Sequence, residues 1–280
     1  MKKISDGFIK DFTTYKLSGK MRDVYFPINV QELKELLNSN LKFKILGNGS
    51  NLIITESYNG FFIKLSNFND ISFDGNMVKV GCGYSLSKLS LECARKGLSG
   101  LEFACGIPGS VGGAIYMNAG AYGNNISDVL KSVTILDENQ NIKSLDTSEL
   151  NFGYRNSIFK NNNYIILDGT FILKEKNSDL ILNEINDIME ARRIKQPLEF
   201  PSAGSVFRNP ESYSAGRLVQ KAKLQGKHVG DAYVSDKHAN FIINKGHASG
   251  EDVIKLIKLV KNKVKKEYGI DLVLEQEIIR

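Results

Sequence analysis

The stretch GLEFACGIPGSVGGAIYMNAGAYG, residues 100–123, sets Gly106, Gly109, Gly112 and Gly113 around Pro108 and Ser110. Bare backbone at that spacing lets successive N–H groups point into one concavity, the arrangement that holds a phosphate or diphosphate. A shorter stretch, Gly47-Asn48-Gly49-Ser50-Asn51, repeats the recipe between two apolar runs. Neither is the GxGxxG of a dinucleotide-binding βαβ unit, and no Val- and Ile-rich strand leads directly into the longer one. Tight turns between strands use the same residues, so residue chemistry alone leaves cradle and plain turn open side by side. Other polar residues stand in loops or at element ends. Ser205, in AGSVFRNP, has no histidine close in sequence and no Gly-x-Ser-x-Gly elbow, which argues against an activated nucleophile and leaves a turn or cap serine open. Arg155 in FGYRNS has the fork that pairs a carboxylate, although an arginine is more often a surface ion pair. Arg192, Arg193 and Lys195 cluster where a basic helix end is expected.

These residues need elements to hold them. Asn29 caps a predicted helix through about Asn38, with Val30, Leu33, Leu36 and Leu37 on one side, followed by strands over 43–46 and 52–54. A strand over 61–65 comes next, then two strands joined at Asp74-Gly75, a hairpin signal. Ser85 caps a helix carrying Leu86, Leu89 and Cys93, which Gly97 stops. The glycine-rich stretch that follows reads as neither core strand nor helix. Three strands come after it, over 133–136, 142–145 and 164–173, then a helix over 178–194. The last third carries a helix over 215–222, a strand over 241–243, a helix over 251–267 capped by Ser249, and a strand over 270–279. Strands and helices that segregate rather than alternate make the class α+β.

Composition narrows the function. With 42% apolar and 24% charged residues in 280, the chain is an ordinary globular protein with room for two or three cores. The net charge of +6 favours an anionic partner, but much of the excess is Lys255, Lys258, Lys261, Lys263, Lys265 and Lys266 on one helix, a solvated face without interleaved aromatics. Nucleic acid is therefore not an expected partner. Three cysteines without CxxC spacing suggest neither disulfides nor zinc, and three histidines show no metal spacing, so no metal is expected. No apolar run nears the ~20 residues of a membrane span. No hydrophobic stretch follows MKKISDGFIKDF, so a cytoplasmic, non-membrane protein is expected.

The two glycine loops, together with TTYKLSG at 13–19, FGYRNS at 152–157, Lys195-Gln196-Pro197, AGSVFRNP at 203–210 and Leu272 to Glu275, resemble the UDP-N-acetylenolpyruvoylglucosamine reductases, FAD enzymes of bacterial cell-wall precursor synthesis. The likeness runs in order through nearly the whole chain. It implies a two-subdomain FAD-binding fold of the vanillyl-alcohol oxidase/PCMH type with a third α+β substrate domain. The boundaries implied are 1–67 completed by 270–280, then 68–198, then 199–269. By the resemblance, FAD is held non-covalently by Gly47, Asn48, Gly49, Ser50, Asn51, Gly106, Ile107, Pro108, Gly109, Ser110, Gly112, Gly113, Asn118, Gly120 and Ala121. NADPH reduces the flavin, and a UDP-linked enolpyruvyl sugar then receives hydride. Ser205 is implied as the proton donor, Arg155 as stabiliser of the enolate, Glu275 as their acidic partner, and Lys195 and Asn209 as substrate contacts. A monomer of the shorter type, without the tyrosine-bearing insertion, is expected. The chain departs from the family at Ser18-Gly19, where two glycines are usual, and at Gln276-Glu277, where valine and arginine are usual. Rival readings are another FAD oxidoreductase of the same fold and a non-catalytic nucleotide-binding module.

Overall fold

The structure, a computed structural model, describes residues 1–39 and 41–280. Contacts divide it into two units: Met1–Lys3, Val24–Asn48 and Phe62–Ala191 in the first, and Ile4–Asp23, Gly49–Phe61 and Arg192–Arg280 in the second.

In the first unit, helix α1 (Val30–Leu37) starts where Asn29 accepts the Glu32 N–H, and it buries Leu33 and Leu36. A four-stranded sheet runs in the order Lys2–Ile4, Val24–Phe26, Phe61–Lys64, Phe43–Leu46. Val24 and Tyr25 pair in parallel with Phe62 and Ile63, and Phe43–Leu46 is an edge strand. The Asp74-Gly75 turn makes the expected hairpin, with Gly75 at φ +55°. Its strands, Ile71–Asp74 and Met77–Gly81, join an antiparallel sheet in the order Ile142–Asp146, Leu130–Leu136, Ile165–Ile172, Met77–Gly81, Ile71–Asp74. Helix α2 (Leu86–Arg95) is capped by Ser85 and buries Leu86, Leu89 and Cys93.

The glycine-rich stretch departs from expectation, because Val111–Met117 forms a helix, α3, capped by Ser110. Two adjacent glycines weaken a helix by about 0.5–1 kcal/mol each relative to alanine, and packing supplies the reason to keep one of them. A Cβ on Gly112 would lie 2.8 Å from Cys82 Cβ, so only glycine lets this helix lie on the strand end. Helix α4 (Ser178–Lys195) buries Ile181, Ile185 and Ile188, and its end, from Arg192, counts with the second unit.

The second unit holds α5 (Ala215–Lys221), a small sheet of His228–Val229, Ala232–Val234 and Ile242–Asn244, and α6 (Gly250–Tyr268). Helix α6 opens on a Ser249/Asp252 capping box and ends at Gly269, φ +70°, with Val253, Leu256, Ile257, Val260 and Val264 buried. The expected strand over 270–279 is shorter than its sequence suggests. Only Glu277–Ile279 is a strand, parallel to Leu52–Ile54, and Leu274 makes an isolated bridge to Phe207. A bend at Gln276 lies between them, because the chain changes hydrogen-bonding partner there. Among the described residues no helix is long and apolar enough to cross a membrane.

Candidate functional site

In the first unit the loop that leaves Phe43–Leu46 meets the glycine-rich stretch. A Cβ on Gly47 would lie 2.8 Å from Ser110 Oγ, so the two segments approach at a distance only bare backbone permits. Asn48 Nδ2 donates to Pro108 O at 3.3 Å and holds them together. The segment 108–111 is fixed in turn on the start of α2, where Leu86 N–H donates to Gly109 O and Val111 N–H to Tyr84 O. Among the described residues the N–H groups of Gly47, Asn48, Gly109 and Ser110 donate to no backbone carbonyl. Gly112 and Gly113 do not share in this. The Gly112 N–H is bound to Cys82 O and the Gly113 N–H to Ser110 Oγ, so their donors are spent on the fold. Ile107 N–H is likewise taken, by Ala104 O. What remains is a set of uncommitted N–H donors, chemistry that suits an anion.

The same stretch carries Arg155. Helix α3 ends at Asn118 in the left-handed region, φ +42°, and Asn118 Nδ2 donates to Gly153 O at 3.1 Å. Gly153 and Asn156 exchange both backbone hydrogen bonds, which closes a tight turn with Arg155 at φ +54°. A positive φ on an arginine is costly and persists where surroundings impose it. Here the imposing contacts are the Asn118 bond and Arg155 Nη2 donating to Gly120 O at 2.6 Å, with the guanidinium packed 5.2 Å from the Tyr154 ring centroid. The structure thus brings Asn118, Gly120 and Arg155 together, although 118 and 155 are far apart in sequence. The neighbouring Ala121 pairs with Asn124 in a two-stranded turn.

In the second unit the backbone just after Ser205 pairs with the backbone that carries Glu275, while Ser205 itself bridges Phe241. Arg208 N–H donates to Val273 O and Glu275 N–H to Val206 O, around the Phe207–Leu274 bridge. Two residues on, the partner changes: Glu277 N–H donates to Asn51 O, and Asn51 Nδ2 donates to Glu275 O at 3.0 Å. Strand alternation therefore does not carry through from Glu275 to Glu277. Glu275 belongs with the Ser205 segment, whereas Glu277 begins the strand beside Leu52. Gly49, at φ +63°, sits so close to Phe12 O that a Cβ would lie 2.4 Å from it, so the Gly49 to Asn51 turn is seated on the 12–13 backbone. Ser205 is half-buried and its hydroxyl makes no hydrogen bond among the described residues. Asn209 is exposed, and its Oδ1 accepts the Ala215 N–H at 3.0 Å, while its Nδ2 stays available to a ligand. Lys195 is exposed at the end of α4. Neither takes part in the pairing of 206–208 with 273–275.

Two residues make contacts there that the sequence does not reveal. Lys64 Nζ donates to Gly47 O at 2.5 Å. Gln276, 3% exposed, donates through Nε2 to Ala203 O and Gly204 O, both at 3.1 Å, and so anchors the turn that presents Ser205. A lysine ending a strand and a glutamine after a glutamate look like ordinary surface residues. Only the contacts distinguish them.

The FAD binding domain profile matches residues 24–146, and the profile of the UDP-N-acetylenolpyruvoylglucosamine reductase C-terminal domain matches residues 196–279. UDP-N-acetylenolpyruvoylglucosamine reductase of Clostridium novyi is 42% identical over 276 residues, 97% of this chain and 90% of its own length. The chain belongs to this family. The same-named protein of Caldicellulosiruptor bescii is 42% identical over 98% of this chain and 89% of its own. The crystal structure of UDP-N-acetylenolpyruvylglucosamine reductase from Thermus caldophilus superposes with a TM-score of 0.86 at 35% identity, covering 100% of this chain and 98% of that one. The α+β, FAD-binding fold read from the sequence is thus the fold the chain has. In this reductase family member the FAD binding domain match includes Gly47, Asn48 and the whole 106–121 stretch, and the donor set there fits an anionic dinucleotide.

Proposed function

We propose that the chain reduces the enolpyruvyl ether of UDP-N-acetylglucosamine to the lactyl ether of UDP-N-acetylmuramate, a step of peptidoglycan precursor synthesis, with FAD held non-covalently and NADPH as reductant. Family membership supports the activity. The observation that carries the cofactor is the Gly47–Ser110 approach with its uncommitted N–H donors. When bound, FAD supplies two-electron redox chemistry that no side chain can.

The protein's own residues do the rest. Arg155, its turn fixed by Asn118 and Gly120, pairs the carboxylate of the enolpyruvyl group and stabilises negative charge as it builds there. Ser205 gives its hydroxyl proton to the substrate α-carbon. A hydroxyl is a weak acid, and the step is feasible because the acceptor carbon, flanked by an enolate, is strongly basic. Glu275, whose N–H donates to the carbonyl of Val206 next to Ser205, is the carboxyl partner in that step. Lys195 and the free amide nitrogen of Asn209 serve the UDP moiety. We assign residues 1–67 with 270–280 and 68–198 to flavin binding and 199–269 to the sugar nucleotide. The enzyme works as a monomer in the cytoplasm, where NADPH and UDP-sugars are made.

One preparation tests this. The pure protein should show a flavin spectrum that NADPH bleaches under anaerobic conditions and that the enolpyruvyl UDP-sugar restores, and acid should release the colour into solution. A colourless protein removes the flavin reading. Recolouring by oxygen but never by the UDP-sugar would favour a different flavin oxidoreductase, and colour retained in the acid precipitate would contradict non-covalent binding.

A further inference from the structure

Lys64 ends the strand Phe61–Lys64, whose three preceding residues are buried, and it is itself half-buried. Its ammonium donates to Gly47 O, in the loop whose neighbouring N–H groups are uncommitted. Among the described residues no carboxylate pairs with it. Burial pulls its pKa below the ordinary lysine value, and desolvation is the sole cause. A cation partly withdrawn from water without a carboxylate partner is costly, and a bound anion would offset that cost. A lysine ammonium has three donors, and the Gly47 carbonyl uses one.

Building on the proposed flavin site, we infer that Lys64 is the fixed positive charge of the diphosphate cradle, and that the anion it balances is the diphosphate of the flavin dinucleotide. Backbone N–H groups supply direction there but only partial charge, and Lys64 supplies the full unit that a diphosphate requires. Its bond to Gly47 O ties that charge to the loop. The sugar nucleotide also carries a diphosphate. Lys64 belongs to the stretch matched by the FAD binding domain and lies against the Gly47–Ser110 approach, which selects the flavin.

The test uses full-length protein stripped of flavin, as wild type, Lys64→Arg, Lys64→Gln and Lys64→Met. Each is titrated with FAD, with riboflavin and with UDP at low and high salt, with flavin fluorescence as readout for the first two and calorimetry for UDP. Lys64→Gln and Lys64→Met should weaken FAD binding about tenfold or more at low salt and flatten its salt dependence. Riboflavin and UDP should bind as in wild type, and Lys64→Arg should keep most of the FAD affinity. Normal FAD binding by Lys64→Gln, which retains a donor for Gly47 O, would reduce Lys64 to a tether and overturn the proposal. Parallel loss of riboflavin would show fold damage and overturn it as well, and loss of UDP alone would move the charge to the substrate. Wild type that binds no FAD would instead fail the flavin reading on which the proposal rests.

Discussion

Gln276→Leu removes two hydrogen bonds and almost no volume, so its effect can be worked out from the contacts. The amide lies 3% exposed, with Nε2 on the carbonyls of Ala203 and Gly204, both at 3.1 Å, and Ala203 is itself buried. Each bond contributes about 0.5–1.5 kcal/mol net, and two carbonyls left without partners place the loss at about 1–3 kcal/mol. Leucine is close enough in size that no cavity penalty adds to this. Tyr15 lies against the same side chain. Burial pushes its phenol far up, and Gln276 partly offsets that, so the substitution also costs this hydroxyl its polar neighbour. Denaturant unfolding should show a lower midpoint at unchanged slope, the mark of lost stability without lost compactness. Because Gly204, at φ +74°, immediately precedes Ser205, reoxidation of reduced flavin by substrate should slow while reduction by NADPH does not. Gln276→Glu should be worse at neutral pH, since a carboxylate would face two carbonyl oxygens. That carboxyl would have a raised pKa in the folded state, so its added destabilisation should ease as the pH falls and it protonates. A Gln276→Leu protein within about 0.5 kcal/mol of wild type, the range of an inconsequential surface change, would show that the two contacts do not hold the Ser205 turn.

Four further outcomes follow from the same geometry. Ser205→Ala should leave NADPH reduction nearly intact and slow substrate-dependent reoxidation by ~10²-fold, and a stopped-flow rate within a few-fold of wild type would remove Ser205 from the mechanism. Glu275→Gln should slow that half-reaction steeply and Glu277→Gln little, since Glu275 pairs with Val206 next to Ser205 and Glu277 starts the strand beside Leu52; the reverse pattern would shift the site by two residues. Gly112→Ala should cost about 1–3 kcal/mol by overpacking against Cys82, while Gly113→Ala, whose Cβ would meet only Ser110 Oγ at 3.4 Å, should be tolerated in thermal melts. Burial pushes the thiols of Cys82 and Cys93 up to about 12, so both stay protonated as the pH rises through 8 and a thiol reagent should label neither until the protein unfolds; rapid native labelling of either would contradict their burial.

Several local signals in the sequence were sufficient where structure is made by near neighbours, although the Ser110-capped helix in the glycine-rich stretch was not among them. Asn29, Ser85 and Ser249 cap the helices they precede because a cap is a contact across three residues, and Asp74-Gly75 turns a hairpin because the turn is four residues long. The order of motifs also carried the family. What the sequence could not show is which donors the fold consumes. Gly47 and Gly112 look alike in one dimension, yet Gly47 keeps its N–H uncommitted against Ser110 while Gly112 spends its own on Cys82 inside a helix. The end of the chain reads as one strand by composition, but a bend at Gln276 divides it because Val206 and Asn51 compete for consecutive stretches of its backbone. Lys64, Gln276 and the Asn118–Gly153 bond that imposes a positive φ on Arg155 were decided by tertiary structure alone. Each depends on a partner 17 to 73 positions away, and hydrogen-bond satisfaction in a buried site is set by what packs beside a group in space.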